Sequence, residues 1–291
     1  MRLFRPAHGE WGLTMVAILI TGAGSGIGRA VAERAVGRGD RTIAAVFSQA
    51  EADGLAPKEN LHVVRIDVAS SASVEAAFAD ADAWLGDTKL DVVVNCAGYC
   101  PLGALEVLDP QVLLDTLNVN AVGSARVLRA ALPRLRGHGG RIALVASLWG
   151  KVAGPMLSAY CASKFAIEAI VDTTRRETHG QDVAIVLIEP GVVRTPLVDA
   201  QVGEAARVAN TLPPGYAGVY GDLYRKYHGL IARNAGGGVS ADQCAAQIEA
   251  AVFARKPPTR VKVGADSKAV TTLAWLLPDR ALDWVFRKMM K

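Results

Sequence analysis

The chain lacks most of the features that would place it in a specialised class. It has only 4 cysteines in 291 residues, and Cys96, Cys100, Cys161 and Cys244 form no CxxC pair and no metal spacing with the 5 histidines. A disulfide scaffold and a metal centre are therefore not expected, and the thiols read as small core or pocket-lining groups. Charge of one sign is also scarce. Lys and Arg number 32 against 28 Asp and Glu, and the signs are interspersed, so no basic face points to nucleic acid. The longest apolar stretches, Met15–Ile20, Ile142–Trp149 and Val183–Ile188, fall short of the ~20 residues a membrane span needs. Residues 1–14 carry two Arg but no 7–15-residue apolar region after them, so a secretory signal is not expected. They read as an N-terminal extension, and a cytoplasmic, reducing compartment is expected. No repeat or low-complexity tract is present. What the chain does have is apolar mass: hydrophobic residues make up 51%, and mean hydropathy is +0.23. That excludes disorder, and the length suits one large α/β domain.

Strand-like and helix-like runs alternate through most of the chain. Val16–Ile20, Thr42–Phe47, Leu61–Ile66, Leu90–Asn95, Arg141–Ala146 and Asp182–Glu189 are short runs apolar on both faces, as buried parallel strands are. Ile27–Arg38, Ser73–Leu85, Asp115–Leu135 and Ala159–His179 follow helical periodicity. The expectation is a single-domain, doubly wound, Rossmann-type α/β fold with a mostly parallel sheet. Beyond Gly191 the pattern loosens. Ser240 reads as the N-cap of a helix to Ala254, Arg260–Val263 as a last strand, and Lys268–Lys291 as a helical tail split at Pro278-Asp279.

Three local patterns carry chemistry. Thr21-Gly22-Ala23-Gly24-Ser25-Gly26-Ile27-Gly28 lies between a strand and a helix, where glycines let the backbone approach a dinucleotide pyrophosphate at the helix N-terminus. Tyr160 and Lys164, four apart, share one helix face, where an ammonium is expected to lower the phenol pKa and fit it for proton transfer. Ser147 ends a strand upstream, at the edge where open sheets bind ligands.

Together these residues resemble the short-chain dehydrogenase/reductase family, from Val16 to about Val263. Gly22, Gly26 and Gly28 match its glycine signature, and Asn95-Cys96-Ala97-Gly98 is similar to its Asn-Asn-Ala-Gly, with Cys for the second Asn. Asp67-Val68 matches the segment near the adenine, and Pro190-Gly191-Val192-Val193-Arg194-Thr195 the segment whose Thr contacts the nicotinamide amide. The resemblance implies a catalytic set of Asn120, Ser147, Tyr160 and Lys164. Tyr160 would exchange a proton with the substrate oxygen, Lys164 would hold the nicotinamide ribose, Ser147 would bind the reacting oxygen, and Asn120 would seat a water relay behind Lys164. Asn118 competes with Asn120 for that alignment. The implied cofactor is NADP or NAD, contacted by Gly22, Gly24, Ser25, Gly26, Ile27, Gly28, Ser48, Asp67, Val68, Asn95, Ala97, Gly98, Tyr160, Lys164, Pro190, Gly191, Val193 and Thr195. Val46 and Phe47 stand where the family places its acidic and Arg residues. With no carboxylate to repel a 2′-phosphate, and with Ser25 and Ser48 as donors, the expectation leans to NADP(H).

The segment 195–238 corresponds to the family's substrate lid. With Trp149, Ser147 and Tyr160 it implies a ketone, aldehyde or secondary alcohol on a lipophilic body, as in the hydroxysteroid and retinol dehydrogenase branch. Tyr216, Tyr220, Tyr224 and Tyr227 sit at helical spacing and read as packing residues, with Tyr220 or Tyr224 as candidates to face the pocket. Alternatives are an acyl-thioester ketoreductase, a non-catalytic nucleotide-sensing module, and epimerase or dehydratase chemistry. The tail, 266–291, sets Trp and Leu against Lys268, Arg280, Arg287, Lys288 and Lys291, a pattern compatible with packing or with peripheral membrane contact. By family habit the long helices would pair copies into a homodimer or homotetramer.

Overall fold

The both-sides-apolar runs form the strands of one sheet. The computed structural model describes residues 15–290; the expected extension, 1–14, and Lys291 lie outside the described residues. In chain order the elements are β1 (Ala17–Thr21), α1 (Gly26–Gly37), β2 (Arg41–Val46), α2 (Gln49–Asp53), β3 (Leu61–Arg65), α3 (Ser71–Leu85), β4 (Val92–Asn95) and α4 (Pro110–Thr116). A π-helical turn (Leu117–Val122) joins α4 to α5 (Gly123–Leu135), and β5 (Gly140–Val145) and a 3₁₀ turn (Leu148–Gly150) lead to α6 (Ser158–Glu177). Then come β6 (Val183–Pro190), β7 (Val193–Arg194), α7 (Pro196–Thr211), α8 (Pro214–Ala235), β8 (Val239–Ser240), α9 (Ala241–Val252), β9 (Arg260–Val263), α10 (Ala265–Leu276) and α11 (Asp279–Met289).

Seven strands form a parallel sheet in the order β3-β2-β1-β4-β5-β6-β9. One face buries Leu19, Phe78, Val127 and Ile167 against α3, α5 and α6, and the other buries Ile20, Val31, Val186 and Ile248 against α1 and α9. This is the expected doubly wound fold.

Three regions differ from the sequence reading. The helix expected over 115–135 begins at Pro110, capped by Asp109, and widens into the π turn before α5. The loose stretch after Gly191 is two helices, α7 and α8, packed on each other over a third cluster that includes Leu157, Cys161, Ala205, Tyr224 and Tyr227. A short β7–β8 pair, not expected, closes its base. Ser240 caps α9 with its hydroxyl, and the tail does break at Pro278. Leu114, Val122 and Phe165 stay exposed on the helices expected to pair copies.

Candidate active site

Between β1 and β4 the chain order reverses, and a cleft of about 590 Å³ opens along the carboxyl edge of the sheet there. Both position and size suit a ligand. Gly22 turns the chain with φ +66°, and a Cβ on it would meet the Ala97 backbone nitrogen at 3.0 Å. Gly28, in the first turn of α1, abuts the Gly22 carbonyl and leaves no room for any side chain. Backbone alone thus faces the cleft at the α1 N-terminus, a cradle that fits a pyrophosphate. Ser25, Gly26, Ile27, Asp67, Val68, Ala97, Gly98, Pro190, Gly191, Val193 and Thr195 line the same cleft, as the sequence reading expects. Thr195 packs its methyl 3.2 Å from the Cβ position of Gly26, so the segment after β6 reaches across to the glycine loop.

Four expected contact residues lie elsewhere. Asn95 is buried at the end of β4, accepting from the Thr21 hydroxyl at 2.6 Å and donating to Ser124 at 2.9 Å. It ties β1 to α5 and does not itself line the cleft. Gly24 is covered by Glu51, and Ser48 caps α2, its hydroxyl accepting from Glu51 N at 3.2 Å. Trp149 does not line the cleft; it is half-buried against the cluster under the lid, with Phe286 of α11 on it at 6.3 Å between ring centroids.

Ser147, Tyr160 and Lys164 do converge. Ser147 stands two residues past β5, buried, and its hydroxyl lies near enough to the Tyr160 phenol to hold its pKa down. One turn along α6, the Lys164 Nζ lies 5.5 Å from the Tyr160 ring centroid and donates to the Val145 carbonyl at 3.0 Å. The electrostatics correct one expectation. Burial pushes the Tyr160 phenol up, Cys100 adds to this, and Ser147 opposes it. Burial outweighs the ammonium 5.5 Å from the ring and brings Lys164 itself down to about 8. The phenol is therefore neutral at neutral pH, a proton donor in waiting.

Asn120 stands in the π turn, a distortion common at functional sites. Asn118 is ruled out as its substitute, because its Oδ1 accepts from Arg126 at 3.0 Å. The Asn120 side chain is engaged within the protein. The Asn120 amide donates to the Tyr99 carbonyl and to Ser163 Oγ, each at 2.9 Å, and its oxygen accepts from Tyr99 N at 3.0 Å. Ser163 in turn donates to the Tyr160 carbonyl at 2.7 Å. Asn120 braces the Gly98–Tyr99 loop against the helix that carries Tyr160.

Sequence reasoning missed several lining residues: Phe47, Glu51, Tyr99, Val119 and Leu197. Glu51 had a signal, since Ser48-Gln49-Ala50-Glu51 has the S-x-x-E spacing of a capping box. Of the lid tyrosines, Tyr227 is the one that faces Tyr160, near enough to influence its ionisation. Tyr220 instead donates to Glu106 at 2.6 Å, and the Tyr224 hydroxyl accepts from Ala104 N at 3.0 Å.

Comparison with known proteins agrees with this geometry. The family described as "short chain dehydrogenase" matches residues 16–205. "Short-chain dehydrogenase/reductase family 9C member 7" of Bos taurus is 30% identical, over 94% of this chain and 89% of that protein. "Retinol dehydrogenase 5" of Homo sapiens is 31% identical, over 93% and 89% respectively. Among solved structures, a short chain dehydrogenase/reductase of Burkholderia phymatum in complex with NAD is 25% identical. It superposes with a TM-score of 0.74 over 89% of this chain and 92% of that one.

Proposed function

The chain belongs to the short-chain dehydrogenase/reductase family, and from that premise we propose that it acts on a lipophilic ketone, aldehyde or secondary alcohol through Ser147, Tyr160 and Lys164. It is an NAD(P)-dependent oxidoreductase of carbonyl and alcohol substrates. When bound, the dinucleotide supplies or accepts the hydride at its nicotinamide C4. Tyr160 Oη gives its proton to the carbonyl oxygen in reduction, or takes it from the alcohol in oxidation. Ser147 Oγ shares that oxygen and stabilises the charge that develops on it. Lys164, below its own pKa of about 8, keeps a cation beside the phenol.

The observation that carries the reading is the convergence of Ser147, Tyr160 and Lys164 on the cleft that the glycine loop also lines. Leu197 and Val198 of the lid line the cleft beside that site, and Leu102, Met156, Leu157 and Tyr227 pack under the lid helices as an apolar cluster, surroundings that suit a hydrocarbon body next to a polar reacting end. Similarity to a retinol dehydrogenase supports the same substrate class. The test follows NAD(P)H oxidation by absorbance over a carbonyl panel. Long-chain and polycyclic ketones and aldehydes should outperform acetone-sized ones and acetoacetyl thioesters, and the reverse order would remove the lipophilic assignment.

The tail supports a second part of the reading, in which the protein rests on an anionic membrane surface. No helix among the described residues is long and apolar enough to cross a membrane. In α10 the buried positions are the polar Ser267 and Thr271, while Trp275 is 84% exposed and Leu276 follows it. In α11 Phe286 turns inward to Trp149, and Trp284 stays outside beside Lys288, 5.5 Å from its ring. Exposed Trp and Leu among Lys and Arg fit a headgroup interface. Vesicles of phosphatidylserine and phosphatidylcholine should sediment the full chain. Replacing Trp275 and Trp284 by Ser should release it, and equal recovery of both proteins would discard the membrane role.

A further inference from the structure

The catalytic reading leaves Glu51 without a task, yet its carboxylate stands inside the dinucleotide cleft. We propose, resting on the dehydrogenase reading above, that Glu51 selects NAD(H) against NADP(H), supplying from α2 the acidic group that the end of β2 lacks. β2 runs out through Val46, and Phe47 and Ser48 follow with no acid among them. The Glu51 side chain folds back to that point, Oε2 accepting from Phe47 N at 2.7 Å and from Ser48 N at 3.1 Å.

Gly24 provides independent support. Unlike Gly22 and Gly26 it has no positive φ, so backbone conformation does not require glycine there. A Cβ at Gly24 would lie 2.5 Å from the Glu51 carboxyl carbon. The missing side chain is the space the carboxylate occupies.

The location decides what such a carboxylate does. With the pyrophosphate over the glycine loop, the adenosine ribose lies between that loop and the end of β2. A carboxylate in this gap can accept from the ribose hydroxyls and repels a phosphate on the 2′ oxygen. It also takes up the Phe47 and Ser48 amides, and Ser48 Oγ already accepts from Glu51 N. The two amides are donors that a 2′-phosphate would otherwise use, while the Ser48 hydroxyl, an acceptor here, keeps its own proton to donate. Of the nearby cations, Arg29 is engaged with Glu33 and the Gly54 carbonyl. Arg65 donates Nε to the Phe47 carbonyl at 3.0 Å and is the cation that favours the opposite preference.

Calorimetric titration of the full chain with NADH and with NADPH tests the assignment without turnover. NADH should bind at least about tenfold tighter, and Glu51→Gln and Glu51→Ala should each shrink that ratio about tenfold, mainly by tightening NADPH. Gln keeps an acceptor for the two amides and Ala does not, so a shift shared by both variants belongs to the charge. A shift in the Ala variant alone, together with a lower Tm, would reduce Glu51 to a helix cap and overturn the proposal. Equal or tighter NADPH binding by the unaltered chain would overturn it and leave the dehydrogenase reading intact. Binding of neither dinucleotide would overturn both.

Discussion

Replacing Tyr160 by Phe lowers kcat by about a thousandfold or more in either direction, the upper part of the range for loss of a positioned acid–base group. Dinucleotide affinity changes little, because the ring and its packing persist and only the hydroxyl is lost. The pH dependence should follow the two shifted groups. With the phenol pushed up by burial, the proton that reduction consumes is present throughout the neutral range. Lys164 comes down to about 8, so reductive kcat/KM falls as pH rises through about 8 and the neighbouring cation is lost. A Phe variant with turnover within tenfold of the parent would remove Tyr160 from the proton path, and a reductive profile flat to pH 10 would remove the Lys164 cation from it.

The second large effect lies behind the site. Arg260 on β9 reaches Glu168 at 3.1 Å, Asp172 at 2.7 Å and Glu189 at 3.1 Å, while Lys151 approaches Glu168 at 2.5 Å and Glu189 at 3.8 Å. Glu189 is fully buried, and burial followed by the Glu168 charge raises its pKa against the opposing effect of Lys151 and Arg260. Arg260→Ala leaves two buried carboxylates sharing Lys151, at a cost of about 3 kcal/mol. The direction with pH is fixed by linkage. A carboxyl whose folded pKa exceeds its unfolded one destabilises the fold above the folded pKa, and the penalty fades as pH falls toward the unfolded value. Urea unfolding should therefore show a deficit that is large at pH 8 and smaller near pH 5. Adding Glu189→Gln should recover much of it. A deficit below about 1 kcal/mol, or one independent of pH, would show that the cluster is held by other means. The effect concerns the site because Lys151 closes the turn after Ser147, Glu168 lies one turn beyond Lys164, and Glu189 precedes Pro190.

The frame of the molecule was legible because its signals are local. Buried parallel strands are apolar on both faces, Ser240 is a cap with its Gln partner three residues on, and Pro278 breaks a helix wherever it stands. Of the lid's two helices only α8 was legible, and only in its tyrosine spacing. α8 contains Gly215, Gly218, Gly221 and Gly229, whose propensity argues against a helix, and it is helical because Tyr224 and Tyr227 bury themselves beneath it. The triad of Ser147, Tyr160 and Lys164 could be read from spacing and strand position. The role of Asn120 could not, because its partners Tyr99 and Ser163 are 21 and 43 residues away. Arg260 and Glu168, 92 residues apart, meet only because β9 pairs with β6 beside α6.

The π turn at Leu117–Val122 has a consequence for helical phase. Such a turn holds one residue more than regular winding allows, so α4 and α5 share an axis while their side-chain stripes are out of step by about 100°. Excising any single residue from the turn would merge the two into one uniform rod, and everything on the α4 side would rotate by that angle relative to α5. The surplus residue thus acts as a phase adjuster. It lets α5 present Val127 and Leu128 to the sheet while Asn120, barely two turns earlier, points to the helix of Tyr160.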